Sequence, residues 1–86
     1  MGHSVEFKRS ARKELSNPPQ DIHARVLRAV MDLSENPRPT GCKKLCAESL
    51  WRIRVGNYRV VYEILDDALV VLVITIAHRR EVYRAL

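Results

Sequence analysis

The segment WRIRVGNYRVVY, residues 51–62, constrains the fold more than any other part of this 86-residue chain. Two runs rich in β-branched and aromatic residues are separated only by Gly56 and Asn57. A two-residue connection with Gly in first position predicts a β-hairpin closed by a type II′ turn. Because such a turn fixes the register, we expect Val55 to pair with Tyr58 and the strand partners to follow from there.

This register divides the hairpin into two chemically different faces, because successive side chains of a strand point to opposite sides of the sheet. One face is apolar and aromatic and carries Trp51, Ile53, Val55, Tyr58, Val60 and Tyr62. The other, which we call the arginine face, carries Arg52, Arg54, Arg59, Val61 and Glu63. A shift by one residue would mix the two sets, so the pattern itself supports the register. We expect the apolar face to pack on helices.

The register also places Arg54 directly opposite Arg59, with their Cβ atoms about 5 Å apart. Like charges in such a pair destabilise a sheet, so a bound anion is one explanation for their presence. A solvated charge network, with Glu63 diagonal to Arg52 and other acidic side chains, is the second explanation. The geometry of the hairpin alone leaves both open.

The rest of the chain predicts a single α+β domain over residues 1–86 with the order β-α-α-β-β-β. A first strand covers Ser4 to Lys8, and a short helix follows that must end before Pro18. A second helix begins near Pro19, ends before Pro37 and carries an apolar stripe of Ile22, Val26, Val30 and Leu33. The apolar run at residues 68–77 predicts a buried strand. The two helices cover one face of an antiparallel-rich sheet, and the other face is open or covered by a partner.

Composition limits the class of function. Fifteen Lys and Arg residues against ten Asp and Glu residues give a net charge of +5, which favours a polyanion or an acidic protein as partner. No apolar run reaches the ~20 residues of a membrane span, so we expect a cytoplasmic protein. Cys42 and Cys46 have C-x3-C spacing with no second pair of ligands, so we expect neither a metal nor another cofactor.

A second basic cluster, AHRREVYR, follows the apolar strand. His78 belongs to the residue type that changes charge near neutral pH, and Tyr83 offers a hydroxyl group and a flat ring. An ordinary surface histidine and a packed C-terminal aromatic residue are the alternatives for these two positions.

The segments LWRIRVGNYRVVYEILDD and VLVITIAHRREVYR together resemble the RelE/ParE superfamily of toxins from toxin–antitoxin modules, and the RelE branch in particular. The resemblance extends from about Val5 to Arg84. It implies an mRNA interferase that enters the ribosomal A site and cuts mRNA without a metal, using the RNA's own 2′-hydroxyl. It also implies a RelB-like antitoxin as partner, contacts with mRNA and rRNA, and contact with operator DNA only through the antitoxin complex.

The resemblance assigns roles to residues at both basic clusters. Arg59 and Arg79 match two arginines that contact the scissile phosphate, and Tyr83 matches a tyrosine that orients or activates the 2′-hydroxyl. Arg52 and Arg54 stand where the family pattern has lysines, and arginine does not release its proton, so both are expected to stabilise charge and hold RNA. The proton transfers then fall to His78, Tyr83 or a group of the ribosome, and His78 is the candidate general acid.

Other basic residues are expected to contact the RNA backbone without reading sequence: Lys43, Lys44, Arg12 and Lys13. For each one a solvated surface charge is the alternative. Two other functions stay open. A ParE-like member would inhibit DNA gyrase by binding protein, and a catalytically weak member would bind only RNA or its antitoxin.

Overall fold

One five-stranded sheet organises the chain in the computed structural model, which describes residues 2–45 and 50–78. The elements are β1 (Ser4–Phe7), α1 (Arg9–Glu14), α2 (Gln20–Asp32), β2 (Lys43–Lys44), β3 (Leu50–Val55), β4 (Tyr58–Leu65) and β5 (Val70–His78). The strands lie in the order β1-β5-β4-β3-β2. The α+β class is confirmed, and β2 is a short strand beyond those the sequence predicts.

The sheet is mixed, because β1 runs parallel to β5 while the other neighbouring strands are antiparallel. Parallel neighbours need a crossover, and here both helices and three strands separate β1 from β5 in the chain. The arrangement places the apolar run of β5 between β1 and β4, so this strand is internal to the sheet, as its composition predicts.

The hairpin of β3 and β4 has the predicted register, with Val55 opposite Tyr58 and Arg54 opposite Arg59. Gly56 has φ 58°, and Asn57 is not among the described residues with positive φ. A positive φ at the first turn position alone is the signature of a type II′ turn, so the predicted turn is confirmed.

The core lies between the helices and the apolar face of the sheet. The stripe of α2 contributes Val26 and Val30, which are fully buried, and Leu33 follows at the C-cap. Ile22 of the same stripe packs against the core from its rim. Helix α2 ends at Asp32, before the predicted stop at Pro37, because Leu33 and Ser34 donate to carbonyls only three residues back.

Tyr62 ties the loop after α2 to the sheet. Its side chain is fully buried, and its hydroxyl donates a 2.6 Å hydrogen bond to the carbonyl oxygen of Pro37. Burial, reinforced by the neighbouring Cys42 thiol, raises the pKa of Tyr62 well above the ordinary value for tyrosine. The hydroxyl therefore stays protonated and keeps donating to Pro37 at neutral pH.

Among the described residues, neither helix has the length and apolar character that crossing a bilayer requires.

Candidate active site

The arginine face consists of two parallel rows of side chains that cross the strands. Strand pairing places Lys43, Arg52, Val61 and Thr75 in the first row, and Arg54, Arg59 and Ala77 in the second. Neighbouring strands lie about 4.8 Å apart, and successive residues on one face of a strand are separated by about 7 Å. Four cationic side chains therefore share one small patch of the sheet.

The three arginines differ in exposure. Arg52 is 6% exposed, Arg59 is half-buried and Arg54 is exposed. Val61 and Thr75, in the same row as Arg52, are also buried, so the middle of this face is closed to solvent while its turn end is accessible. The face is thus open at its turn end and closed in its middle, whereas the sequence leaves it either open or covered by a partner.

The Nε atoms of Arg52 and Arg59 are buried and have no hydrogen-bond partner in the part of the chain that the structure describes. A buried donor without a partner is costly, and nearly all such groups in proteins are satisfied by protein, water or a ligand. A guanidinium group presents planar, paired donors that match a phosphate. The arginine face therefore carries buried hydrogen-bond donors without described partners, which is a property expected of an anion-binding site.

No carboxylate within residues 2–45 and 50–78 forms an ion pair with these arginines. The ion pairs found there join Asp66 to Arg38 at 3.0 Å and to His3 at 3.2 Å, away from the arginine face. Hydrogen bonds from Arg38 and His3 lower the pKa of Asp66. The charge network between Glu63 and Arg52, which the sequence left open, is therefore not formed as an ion pair, and the anion-site explanation gains support.

A groove of about 510 Å³ adjoins the arginine face at the edge of β3. One wall carries Lys43, Arg52 and Arg54, and the other is formed by α2 with Ala29 and Asp32 and by the loop at Pro39, Thr40 and Gly41. Within the described part of the chain, β2 pairs with Trp51 and Arg52 of β3, and no other described strand lies along that edge at Arg54. An extended chain could enter beside the three basic side chains.

The structure separates the two adjacent lysines that the sequence groups together. Lys43 pairs with Arg52 and shares the arginine face, whereas Lys44 pairs with Trp51 and lies on the opposite side of the sheet. Both are exposed. Of these two lysines, Lys43 is the one positioned to add its charge to the arginine face.

The basic residues of α1 lie apart from the arginine face. The Arg12 guanidinium lies 5.9 Å from the ring centroid of Phe7, a residue that packs against the core, and Lys13 is exposed in the last turn of α1. Neither residue lines the groove.

His78 is not brought onto the arginine face. It pairs with Tyr58, which belongs to the apolar face, while Ala77 pairs with Arg59. The His78 ring lies edge-on to the Tyr58 ring, with 5.6 Å between centroids and an interplanar angle of 81°. The sequence could not show this, because a register irregularity within β5 reverses the alternation of its side chains. Arg79 and Tyr83, expected to complete the site, lie outside the described residues, as does Cys46.

Comparison with known proteins covers nearly the whole chain. Residues 5–83 match a family model described as the ParE toxin of the type II toxin–antitoxin system parDE. Toxin RelG from Mycobacterium tuberculosis (strain ATCC 25618 / H37Rv) is 36% identical over 87 residues, which span 98% of this chain and 99% of the relative.

Two solved structures show the same fold. The toxin–antitoxin complex RelBE2 from Mycobacterium tuberculosis contains a chain with a TM-score of 0.80 and 32% identity, aligned over 92% of this chain and 100% of that one. The archaeal RelE–RelB complex from Pyrococcus horikoshii OT3 contains a chain with a TM-score of 0.82 and 26% identity, aligned over 92% and 97%.

Proposed function

Because the chain belongs to the RelE/ParE superfamily of toxins from type II toxin–antitoxin modules, we propose that it is a ribosome-dependent mRNA endoribonuclease. RelE-family toxins are typically ribonucleases. The proposed enzyme cuts the codon in the ribosomal A site and so stops translation. The observation that carries the proposal is the arginine face, where Arg52 and Arg59 hold buried Nε donors without a partner among the described residues.

The proposed reaction is an internal phosphoryl transfer. The 2′-oxygen of one nucleotide attacks the adjacent phosphorus, the bond to the 5′-oxygen of the next nucleotide breaks, and the products are a 2′,3′-cyclic phosphate and a 5′-hydroxyl. Negative charge grows on the phosphoryl oxygens in the transition state, and fixed donors aimed at that charge lower the barrier. No step in this scheme requires a metal or another cofactor.

Arg59 is the residue that we place on the scissile phosphate. It lies in the middle strand of its row, with Arg54 on one side and the small side chain of Ala77 on the other. Ala77 contributes only a methyl group beside the guanidinium group. Arg54 and Arg52 add charge from the neighbouring strand, and Lys43 extends the patch toward the groove.

The proton transfers need other groups, because arginine stays protonated at any pH at which a protein is folded. We assign activation of the 2′-hydroxyl to Tyr83, with Arg79 as the second phosphate ligand, on the match of these residues to the family pattern. Since His78 lies on the opposite face from Arg59, we assign protonation of the leaving oxygen to a group of the ribosome.

The proposed protein partner is a RelB-like antitoxin. The similar structures from Mycobacterium tuberculosis and Pyrococcus horikoshii are complexes of a toxin with its antitoxin. A net charge of +5 favours an acidic partner segment, and operator DNA would be reached only through the complex.

Inhibition of DNA gyrase is the competing function, because the matching family model is named for ParE. Induced expression with primer extension on a translated reporter mRNA separates the two. Our proposal predicts cuts that keep the phase of the codons and vanish when translation of the reporter is blocked. Growth arrest with intact mRNA and a DNA-damage response would instead establish gyrase as the target.

A further inference from the structure

Glu14, the last residue of α1, makes two hydrogen bonds to a distant part of the chain. Its Oε1 atom accepts a 3.0 Å hydrogen bond from the Thr75 hydroxyl and a 3.1 Å hydrogen bond from the Ile76 amide. Thr75 is 3% exposed. A carboxylate at a helix C-terminus is disfavoured by the helix dipole, so its presence there calls for a compensating contact, and these two bonds supply it.

The two donors lie beside an irregularity in β5. Val61 pairs with Thr75, but the next residue of β4, Tyr62, pairs with Val73, so Ile74 is an extra residue. The parallel ladder between β1 and β5 ends at Val73. Beyond that point Glu14 takes the place of a strand partner for the Ile76 amide. The Glu14 carboxylate thus accepts from a backbone amide of β5 that has no partner on β1, next to the extra residue that bends the strand.

The extra residue reverses which side chains of β5 reach each face. Before it, Val71 and Val73 belong to the core, whereas after it Ile76 does. Thr75 and Ala77 consequently stand in the rows of Arg52 and Arg59. Without the irregularity, a larger side chain would occupy the place of Ala77 beside Arg59, because a shift by one residue exchanges the two faces.

We propose that Glu14 is a positioning residue, which holds the bulge at Ile74 and thereby keeps Ala77 beside Arg59. The inference rests on the proposed nuclease function for its catalytic consequence. Its structural consequence, the register of β5 against β4, is independent of that function.

The test compares Glu14→Ala, Glu14→Gln and Thr75→Val, with Glu35→Ala as a control at an exposed acid outside α1 and β5. Single-turnover cleavage is measured on ribosomes programmed with a defined mRNA, at a temperature where circular dichroism shows each variant folded. Glutamine keeps the Oε1 acceptor, so Glu14→Gln should cleave within about threefold of wild type. Glu14→Ala should be about 10²-fold slower, because a misplaced phosphate ligand costs that much. Glu35→Ala should be unchanged.

NMR on the same free proteins reads the register directly. We expect the cross-strand NOE between Arg59 and Ala77, and slow exchange of the Ile76 amide, in wild type and Glu14→Gln. Both should be lost in Glu14→Ala, and Thr75→Val should weaken the NOE.

The proposal would be overturned if Glu14→Ala kept the NOE between Arg59 and Ala77. This holds whether Glu14→Ala cleaves at the wild-type rate or more slowly. If Glu14→Ala does not fold, an intact NOE in Thr75→Val overturns it. Inactive wild-type protein would refute the nuclease function, while the NMR still tests the register.

Discussion

Arg54 and Arg59 lie directly opposite each other across the β3–β4 ladder, and no carboxylate of the described residues forms an ion pair with either one. Directly opposed like charges destabilise a sheet. Contacts within the described residues therefore do not explain the pair, whereas the anionic ligand that we propose would. The same contrast between stability and function yields the first prediction.

Replacing Arg54 by Gln should stabilise the free protein and impair its activity. Removing one of two opposed charges should raise the free energy of unfolding by about 0.2–1 kcal/mol. Loss of one charge-stabilising donor should slow cleavage by about 10²-fold. Urea unfolding and single-turnover cleavage measure the two effects. Arg28→Gln, at an exposed position of α2, is the matched control and should change neither. A destabilised, fully active Arg54→Gln protein would refute this reading of the pair.

The adjacent residues Lys43 and Lys44 should contribute unequally to RNA binding, because they lie on opposite faces of the sheet. Each phosphate contact adds about 0.7 to the slope of log affinity against log salt concentration for a single strand. We expect Lys43→Ala to lower that slope by about 0.7 and Lys44→Ala to leave it unchanged. Titrations with a labelled single-stranded RNA at several salt concentrations decide the point. Equal slopes for the two variants would contradict the placement of the RNA.

Tyr62→Phe should destabilise the protein at neutral pH by about 1 kcal/mol, because the carbonyl oxygen of Pro37 loses a buried donor. The effect should shrink at high pH. Burial raises the pKa of Tyr62, so above about pH 10 the unfolded chain loses this proton while the folded chain keeps it. The free energy of unfolding of the wild-type protein then falls with rising pH, and the phenylalanine variant has no corresponding proton to lose. Urea unfolding should show that the difference in free energy of unfolding between wild type and Tyr62→Phe is smaller at alkaline than at neutral pH. A constant difference would argue against a buried, protonated hydroxyl.

His78→Ala should slow single-turnover cleavage less than about tenfold and leave the shape of the pH–rate profile unchanged. The reason is that His78 faces Tyr58 and not Arg59. A loss of 10²-fold or more, together with the disappearance of one limb of the profile, would identify His78 as the general acid after all.

The sequence predicts the hairpin fully because its determinants are local. Gly56 and Asn57 select the turn, and the turn fixes every pair from Val55–Tyr58 outward. The arginine face follows directly from that register. The stripe of α2 is equally predictable, since its period is set by the helix itself.

What the sequence could not predict depends on contacts between distant segments. The bulge at Ile74 has no local signal, and it decides that Ala77 rather than Ile76 pairs with Arg59 and that His78 lies on the opposite face. Glu14, which accepts hydrogen bonds from Thr75 and Ile76, is more than sixty residues away from both. The short strand β2, which separates Lys43 from Lys44, is likewise set by pairing with β3 and not by its own composition.

The most direct measurement of the central claim is single-turnover cleavage of an A-site codon by Arg59→Ala and Arg59→Lys on programmed ribosomes. Our account predicts that wild-type protein produces a 2′,3′-cyclic phosphate and a 5′-hydroxyl. Both Arg59 variants should be slower by about 10²-fold or more, because lysine lacks the paired donors of arginine. Arg28→Ala should cleave normally. Undiminished cleavage by Arg59→Ala would contradict the assignment of the arginine face as the phosphate site.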